Sequence, residues 1–241
     1  MVARGAGGPG GINPLLLLGL LLLLYGGVTG TLVSPVQQAP DHPVAFVGFI
    51  VAIVLGITVH EFMHAYAAHR LGDDTARLMG RLSLNPMAHL DPFGSLLLVL
   101  AGFGYGKPVP FNESRLRSAA GVSAVALAGP AANLLIAALF GIPLRFGSVA
   151  ALPDAYGQVL AQIVLWNCVL AVFNLLPVPP LDGANIVYGL LSGRQRYSWR
   201  TFQQYGPFVL LALLLFGGRF LSTLIFGPAL FFVRLFTGGA L

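Results

Sequence analysis

Charge is what this chain of 241 residues has least of. Asp, Glu, Lys and Arg together make up 9% of it, against about 25% in a soluble domain, which excludes an ordinary water-soluble globule. There are two Glu, six Asp and a single lysine, Lys107, so that 12 of the 13 basic residues are Arg. These are scattered between apolar segments, and the net charge of +5 is therefore no sign of nucleic-acid binding. One cysteine, Cys168, excludes an intrachain disulfide and any multi-cysteine metal site. It lies within an apolar run and reads as a small packing residue. What the chain does have is hydrocarbon: 56% of residues are hydrophobic and the mean hydropathy is +0.83. The 31 Gly and 17 Pro interrupt long apolar runs rather than replace them, which excludes a disordered or collagen-like chain. A polytopic membrane protein remains.

Six apolar segments are read as membrane spans: Leu15 to Val28, Pro43 to Leu71, Ala119 to Phe140, Val159 to Pro177, Phe208 to Phe216 and Phe220 to Phe236. The first lacks a clean small-x-small cleavage site and is taken as a retained helix rather than a signal peptide. The long connection 72–117 should hold structure of its own. Arg77–Leu84 is read as a short strand or hairpin and Phe103–Phe111 as a turn with an edge strand. The expected fold is thus an all-α polytopic membrane protein of about six transmembrane helices. A small β-containing cytoplasmic loop region lies between the second and third spans. Residues 1–42 hold a Gly-rich N-terminus, a first span and an outer loop, 43–192 a membrane core that carries the chemistry, and 193–241 the C-terminal spans. With the N-terminus in the cytoplasm, 11 of the 13 basic residues, all but Arg145 and Arg219, fall inside, as the positive-inside rule demands. Both ends then lie inside. The preference for Arg over Lys points to a GC-rich prokaryotic gene, hence a plasma membrane.

His60-Glu61-Phe62-Met63-His64 is an H-E-x-x-H pattern. Residues four apart share a helix face, so both imidazoles can reach one Zn²⁺, and Glu61 can act as general base on its water. From the His and Glu counts, chance would produce this pattern in roughly one such sequence in a thousand. Ionisable groups at membrane depth are costly and rarely idle. A catalytic zinc takes three protein ligands, and the third is not adjacent: the metzincin extension is absent, since Ala67 and Arg70 stand in its places. His69 lies on another azimuth. Glu113, the remaining Glu, stands beside Arg115 and Arg117 in a loop. Asp41 and Asp154 fall on the opposite face, and Asp73, Asp74 and Asp91 lie in the cytoplasmic loop. Asp182 lies at the cytoplasmic end of the fourth span. Asp-Gly is by itself a turn signal, but the need for a third ligand favours Asp182.

The chain resembles the site-2 protease family of intramembrane zinc metalloproteases. The resemblance rests on the motif His60–His64; on Gly80-Arg81-Leu82-Ser83-Leu84-Asn85-Pro86 with His89-Leu90-Asp91-Pro92-Phe93-Gly94; on Lys107-Pro108-Val109-Pro110; on Gly129-Pro130-Ala131-Ala132-Asn133; and on Asn174-Leu175-Leu176-Pro177 leading to Pro180-Leu181-Asp182-Gly183. It covers about residues 45–190 and matches the compact form, without a PDZ or CBS domain. It implies one Zn²⁺ per chain held by His60, His64 and Asp182, with Glu61 as catalytic base. It also implies that Asn133 lies near the zinc, where its amide could polarise the scissile carbonyl; as a bare membrane Asn it reads as an interhelical hydrogen-bonding residue. The implied activity is hydrolysis of peptide bonds in membrane-spanning protein substrates, within the lipid bilayer and near the cytoplasmic face. Nucleic acid is not an expected partner, and oligomeric state is not legible. The strand-like Arg77–Leu84 and Val109 could pair with an extended substrate. Asn167 and Asn174 are read as packing contacts and His89 with Asp91 as a loop-fixing pair. The competing reading is a zinc-binding transporter or a non-proteolytic scaffold, which has less need of a Glu directly after the first His.

Overall fold

Pro43 opens α1 (Pro43–Arg70), the first long helix among the described residues, at the position where its missing N–H costs nothing. The computed structural model describes residues 39–92, 94–96, 106–118, 120–147 and 153–239. The Leu-rich segment expected as a first span, and the apolar residues 97–100, lie outside the described residues. After α1 come a short helix α2 (Thr75–Leu78), 3₁₀ turns at Pro86–Ala88 and Glu113–Arg115, and two long helices, α3 (Gly121–Arg145) and α4 (Asp154–Asn174). The chain then forms α5 (Asp182–Leu190), α6 (Gly193–Gln203), α7 (Gly206–Phe216) and α8 (Gly218–Thr237).

Among the described residues four helices, α1, α3, α4 and α8, are long and apolar enough to cross a membrane, where five of the six expected spans fall, so six spans are not supported. The segment Phe208–Phe216 is helical, but α7 has 11 residues and so reaches about 16 Å, half of the roughly 30 Å of hydrocarbon to be crossed. The expected placing of the last helix is corrected too. Arg145 at the end of α3 donates to Leu235 O near the end of α8 at 2.5 Å, and Gly141 lies against Phe236. The two helices therefore run parallel, and α8 ends on the Arg145 face. Arg219 and Arg234 exchange sides, and the charge asymmetry survives.

Helices α1, α3 and α4 pack pairwise against one another; α5 packs on α3, and α8 on α3 and α4. Ala52, Ile136 and Ile163 fill the seam between α1, α3 and α4. A larger core joins Val164, Cys168 and Val172 of α4 to Ala137 of α3 and to Leu221, Ile225 and Ala229 of α8. Small residues let the backbones approach, as association within lipid requires: a Cβ at Gly56 would stand 2.8 Å from Leu170 and 2.9 Å from Asn167. Cys168 is buried in this core, as a packing residue should be.

The β-containing loop is not found. Among the described residues there is no strand, only an isolated antiparallel bridge between Leu90 and Gly106, with Lys107 N–H donating to His89 O at 2.7 Å. Arg77–Leu84 alternates like a strand, but nearby main-chain carbonyls take its N–H groups: Leu78 N–H donates to Asp74 O, Met79 to Thr75 O, Gly80 to Arg77 O and Arg81 to Ala76 O, and side chains hold the flanking turns. Asp73 accepts from Thr75 N at 3.1 Å and from its hydroxyl at 2.5 Å, and Asn85 accepts from Met87 N at 3.0 Å. Such local bonds favour turns, and a lone hairpin without a packing partner has little to hold it. His89 is fully buried and bonds through Nε2 to Ser83 O at 2.6 Å, a loop-fixing role. Asp74, whose carboxyl is held below its ordinary value by hydrogen bonds from Arg77 and then His69, pins the end of α1.

Asp73 also accepts from Asn112 N and so ties the irregular segment 107–112 to the corner after α1. Asp73→Ala should leave these donors unmatched at a cost of about 1–3 kcal/mol. Limited proteolysis should then cut within 107–118 faster than in the wild type, with the long helices unaffected.

Candidate metal centre

His60 and His64 sit on one face of α1 because they are four residues apart on a continuous helix. Asp182 reaches them from the first turn of α5. That turn is possible because residue 183 is glycine: a Cβ there would overlap the carbonyls of Leu175 and Leu176, so only Gly lets α5 fold back beneath the end of α4. The Pro179–Pro180 peptide bond within this return is cis.

The three side chains converge. His60 Nε2 is 3.0 Å and His64 Nε2 3.3 Å from Asp182 Oδ2, and the two Nε2 atoms are 3.0 Å apart. Both imidazoles are buried. Their other nitrogens are committed: His60 Nδ1–H donates to Asn133 Oδ1 at 2.6 Å, and His64 Nδ1–H donates to Val125 O at 2.7 Å. A protonated Nδ1 leaves Nε2 with a lone pair, so two lone pairs and a carboxylate oxygen face one another. Asp182 Oδ2 is buried and accepts no hydrogen bond. Two imidazole nitrogens and one carboxylate oxygen are a donor set that fits zinc with one position left open. Among the described residues, these three are the group of His, Cys, Asp or Glu able to share one ion.

The same residues line a cavity of about 270 Å³. Glu61 shares its wall, and among the described residues no hydrogen bond or ion pair fixes its carboxylate. The segment Gly106–Phe111 forms another part of the wall, so the loop is at the site although it is not a strand. Glu113, the alternative carboxylate, is engaged elsewhere: Arg200 Nη2 donates to it at 2.6 Å. His69 is paired with Asp74 at 2.5 Å.

Asn133 is buried between α1, α3 and α4. Besides accepting from His60, it donates through Nδ2 to Gly56 O at 3.2 Å and to Asn167 Oδ1 at 2.9 Å. Both of its N–H donors are therefore occupied. Asn174, read from the sequence as a packing residue, lines the cavity. It donates to Leu170 O at 3.0 Å, which uses one of its two amide N–H bonds. Its signal in the sequence was its place at the end of the same span that leads to Asp182. Asn185, one turn beyond Asp182, lines the cavity as well and carried no sequence signal. Gly129 is the least expected contributor: a Cβ there would overlap His64 Nε2 and stand 2.7 Å from His60 Cε1, so its hydrogen makes room for the imidazole pair. Gly129→Ala should reduce retained zinc well below one per chain by metal analysis of purified protein, whereas Ala128→Gly, one residue away, should leave it unchanged.

Comparison with known proteins agrees with this centre. The model of peptidase family M50 matches residues 48–155 and 148–217. "Putative zinc metalloprotease YwhC" of Bacillus subtilis is 39% identical over 181 residues, covering 71% of this chain and 82% of that protein. "Putative zinc metalloprotease Rip2" of Mycolicibacterium smegmatis is 28% identical over 213 residues, covering 84% of this chain and 80% of that protein. Its namesake in Mycobacterium tuberculosis is 34% identical over 178 residues, 69% of this chain and 66% of that protein. No solved structure gives a significant match. With both matched segments containing the residues that converge on the cavity, the chain belongs to peptidase family M50, the site-2 protease family.

Proposed function

We propose that this protein is an intramembrane zinc metalloprotease in which His60, His64 and Asp182 hold the metal and Glu61 is the base. The observation that carries the reading is the convergence of three ligand atoms within 3.3 Å on helices buried in an apolar bundle, with a carboxylate beside them. Bound there, zinc supplies Lewis-acid polarisation and a water acidified toward a pKa of about 7. Glu61 takes a proton from the attacking water and returns it to the leaving amine nitrogen. His60 and His64 present Nε2 lone pairs because their Nδ1–H groups are spent on Asn133 and Val125. Asn133 therefore acts through His60, since its own N–H donors are occupied. The remaining N–H of Asn174, on the cavity wall, is the amide donor placed to meet a substrate carbonyl.

The substrate class is a membrane-spanning protein segment. Its helix must unwind before cleavage, because its carbonyls are otherwise tied up in intrahelical bonds. The segment 107–112, on the cavity wall, is the one to offer main-chain groups to a peptide so opened; Arg77–Leu84, being turn and helix, is not. The basic residues of the α1–α3 connection and of α6 favour a cytoplasmic position for this face, in the plasma membrane of a prokaryote.

The test is zinc content together with cleavage of a transmembrane test substrate in detergent. Glu61→Gln should keep its zinc and lose at least about 100-fold in rate. Asp182→Ala should lose zinc and cleavage together. Zinc retained in full by Asp182→Ala would remove the third ligand from this reading. Unchanged function in Glu61→Gln with zinc bound would favour a transporter or scaffold.

A further inference from the structure

Behind His60 lies a chain of amides that crosses three helices. His60 on α1 donates to Asn133 on α3, and Asn133 donates to Asn167 on α4 at 2.9 Å. Asn167 in turn donates through Nδ2 to Ile163 O at 2.9 Å and toward Ala52 O at 3.5 Å. Both asparagines are fully buried. The oxygen and nitrogen of an amide are alike in size and shape, but here the polarity is forced by the partners. Main-chain carbonyls only accept, so the NH₂ of Asn167 must face Ile163 and Ala52, and its oxygen must face Asn133. The NH₂ of Asn133 then has two acceptors to satisfy, Gly56 O and Asn167 Oδ1, and its own oxygen is left for His60. A flipped Asn133 would set an oxygen against two oxygens. Gly56 keeps the space open, since a Cβ there would stand 2.9 Å from Asn167 Oδ1 and 3.3 Å from Asn133 Nδ2.

We infer that Asn167 is a positioning residue that fixes the tautomer of His60 through Asn133. The polarity of two main-chain carbonyls is thereby relayed to the imidazole as an Nδ1–H, Nε2-bare ring. Asn167 lies two side chains away from the imidazole and acts on it only through Asn133. The inference rests on the reading of His60 as a metal ligand for its effect on zinc, and on the hydrogen bonds alone for its effect on the ring.

Two readouts separate these. In the metal-free full-length protein in detergent, ¹⁵N NMR of the histidine rings should report His60 as the Nδ1–H tautomer. Asn167→Leu should turn it into a mixture and weaken zinc, measured by chelator competition, by about 10- to 100-fold, the usual effect of losing a partner behind a metal ligand. Val164→Ala, one turn earlier on α4 and buried in the same core without a polar contact, should change neither. A wild-type His60 in the Nε2–H form overturns the relay without any variant. An unchanged tautomer in Asn167→Leu, or a zinc loss matched by Val164→Ala, overturns it as well. If His60→Ala leaves zinc affinity intact while the tautomer still responds to Asn167→Leu, the relay stands and the ligand reading falls.

Discussion

Three electron-rich atoms do not settle 3 Å apart inside hydrocarbon unless positive charge is shared between them. His60 Nε2, His64 Nε2 and Asp182 Oδ2 do so here, and much of the bundle is arranged around that demand. The Nδ1 atoms are occupied by acceptors that leave the lone pairs facing inward. Gly129 withdraws its side chain to admit the rings. Gly183 brings α5 back under α4 so that a carboxylate can reach helix α1 from the far side of the sequence. Each device serves the same crowded point, and none would be needed to pack an apolar helix bundle.

The part of this written in local spacing was readable. H-E-x-x-H declares itself because helical period alone puts both His on one face, and an apolar helix gives ionisable groups no bland role. Asp182 needed a second step, the elimination of carboxylates on the wrong face, and the structure does bring it to the two His. The four long spans follow from length and hydropathy. The fifth expected span failed on length: nine apolar residues from Phe208 to Phe216 look like membrane sequence, yet they make a helix that stops halfway.

What the sequence could not reveal depends on pairs of residues far apart in it. The strand expected at Arg77–Leu84 was judged by alternation, whereas its first half is held as a helical turn by main-chain carbonyls of residues 74–77, with Asp73 and Asn85 fixing the turns on either side. Asn133 and Asn174 were both visible, and their roles are distributed differently from the expectation: the first has its donors absorbed by α1 and α4, the second faces the cavity. No spacing rule distinguishes these, because the difference lies in which neighbouring helix presents a carbonyl to which amide. Gly129 was visible only as part of a motif; its reason is steric and requires the imidazoles in place.

The return of α5 to α1 also has a consequence in time. Asp182 is made about 120 residues after His60, and at about 5–20 residues per second of synthesis that is an interval of roughly 6–24 s. During it, the growing chain holds two histidines and the glutamate in an inserted helix without the carboxylate that joins them. The nascent membrane protein is thus a half-built centre, unable to close on metal until the Pro-rich return after α4 has emerged. A protease assembled in this order completes its ligand set only after α4 is in place.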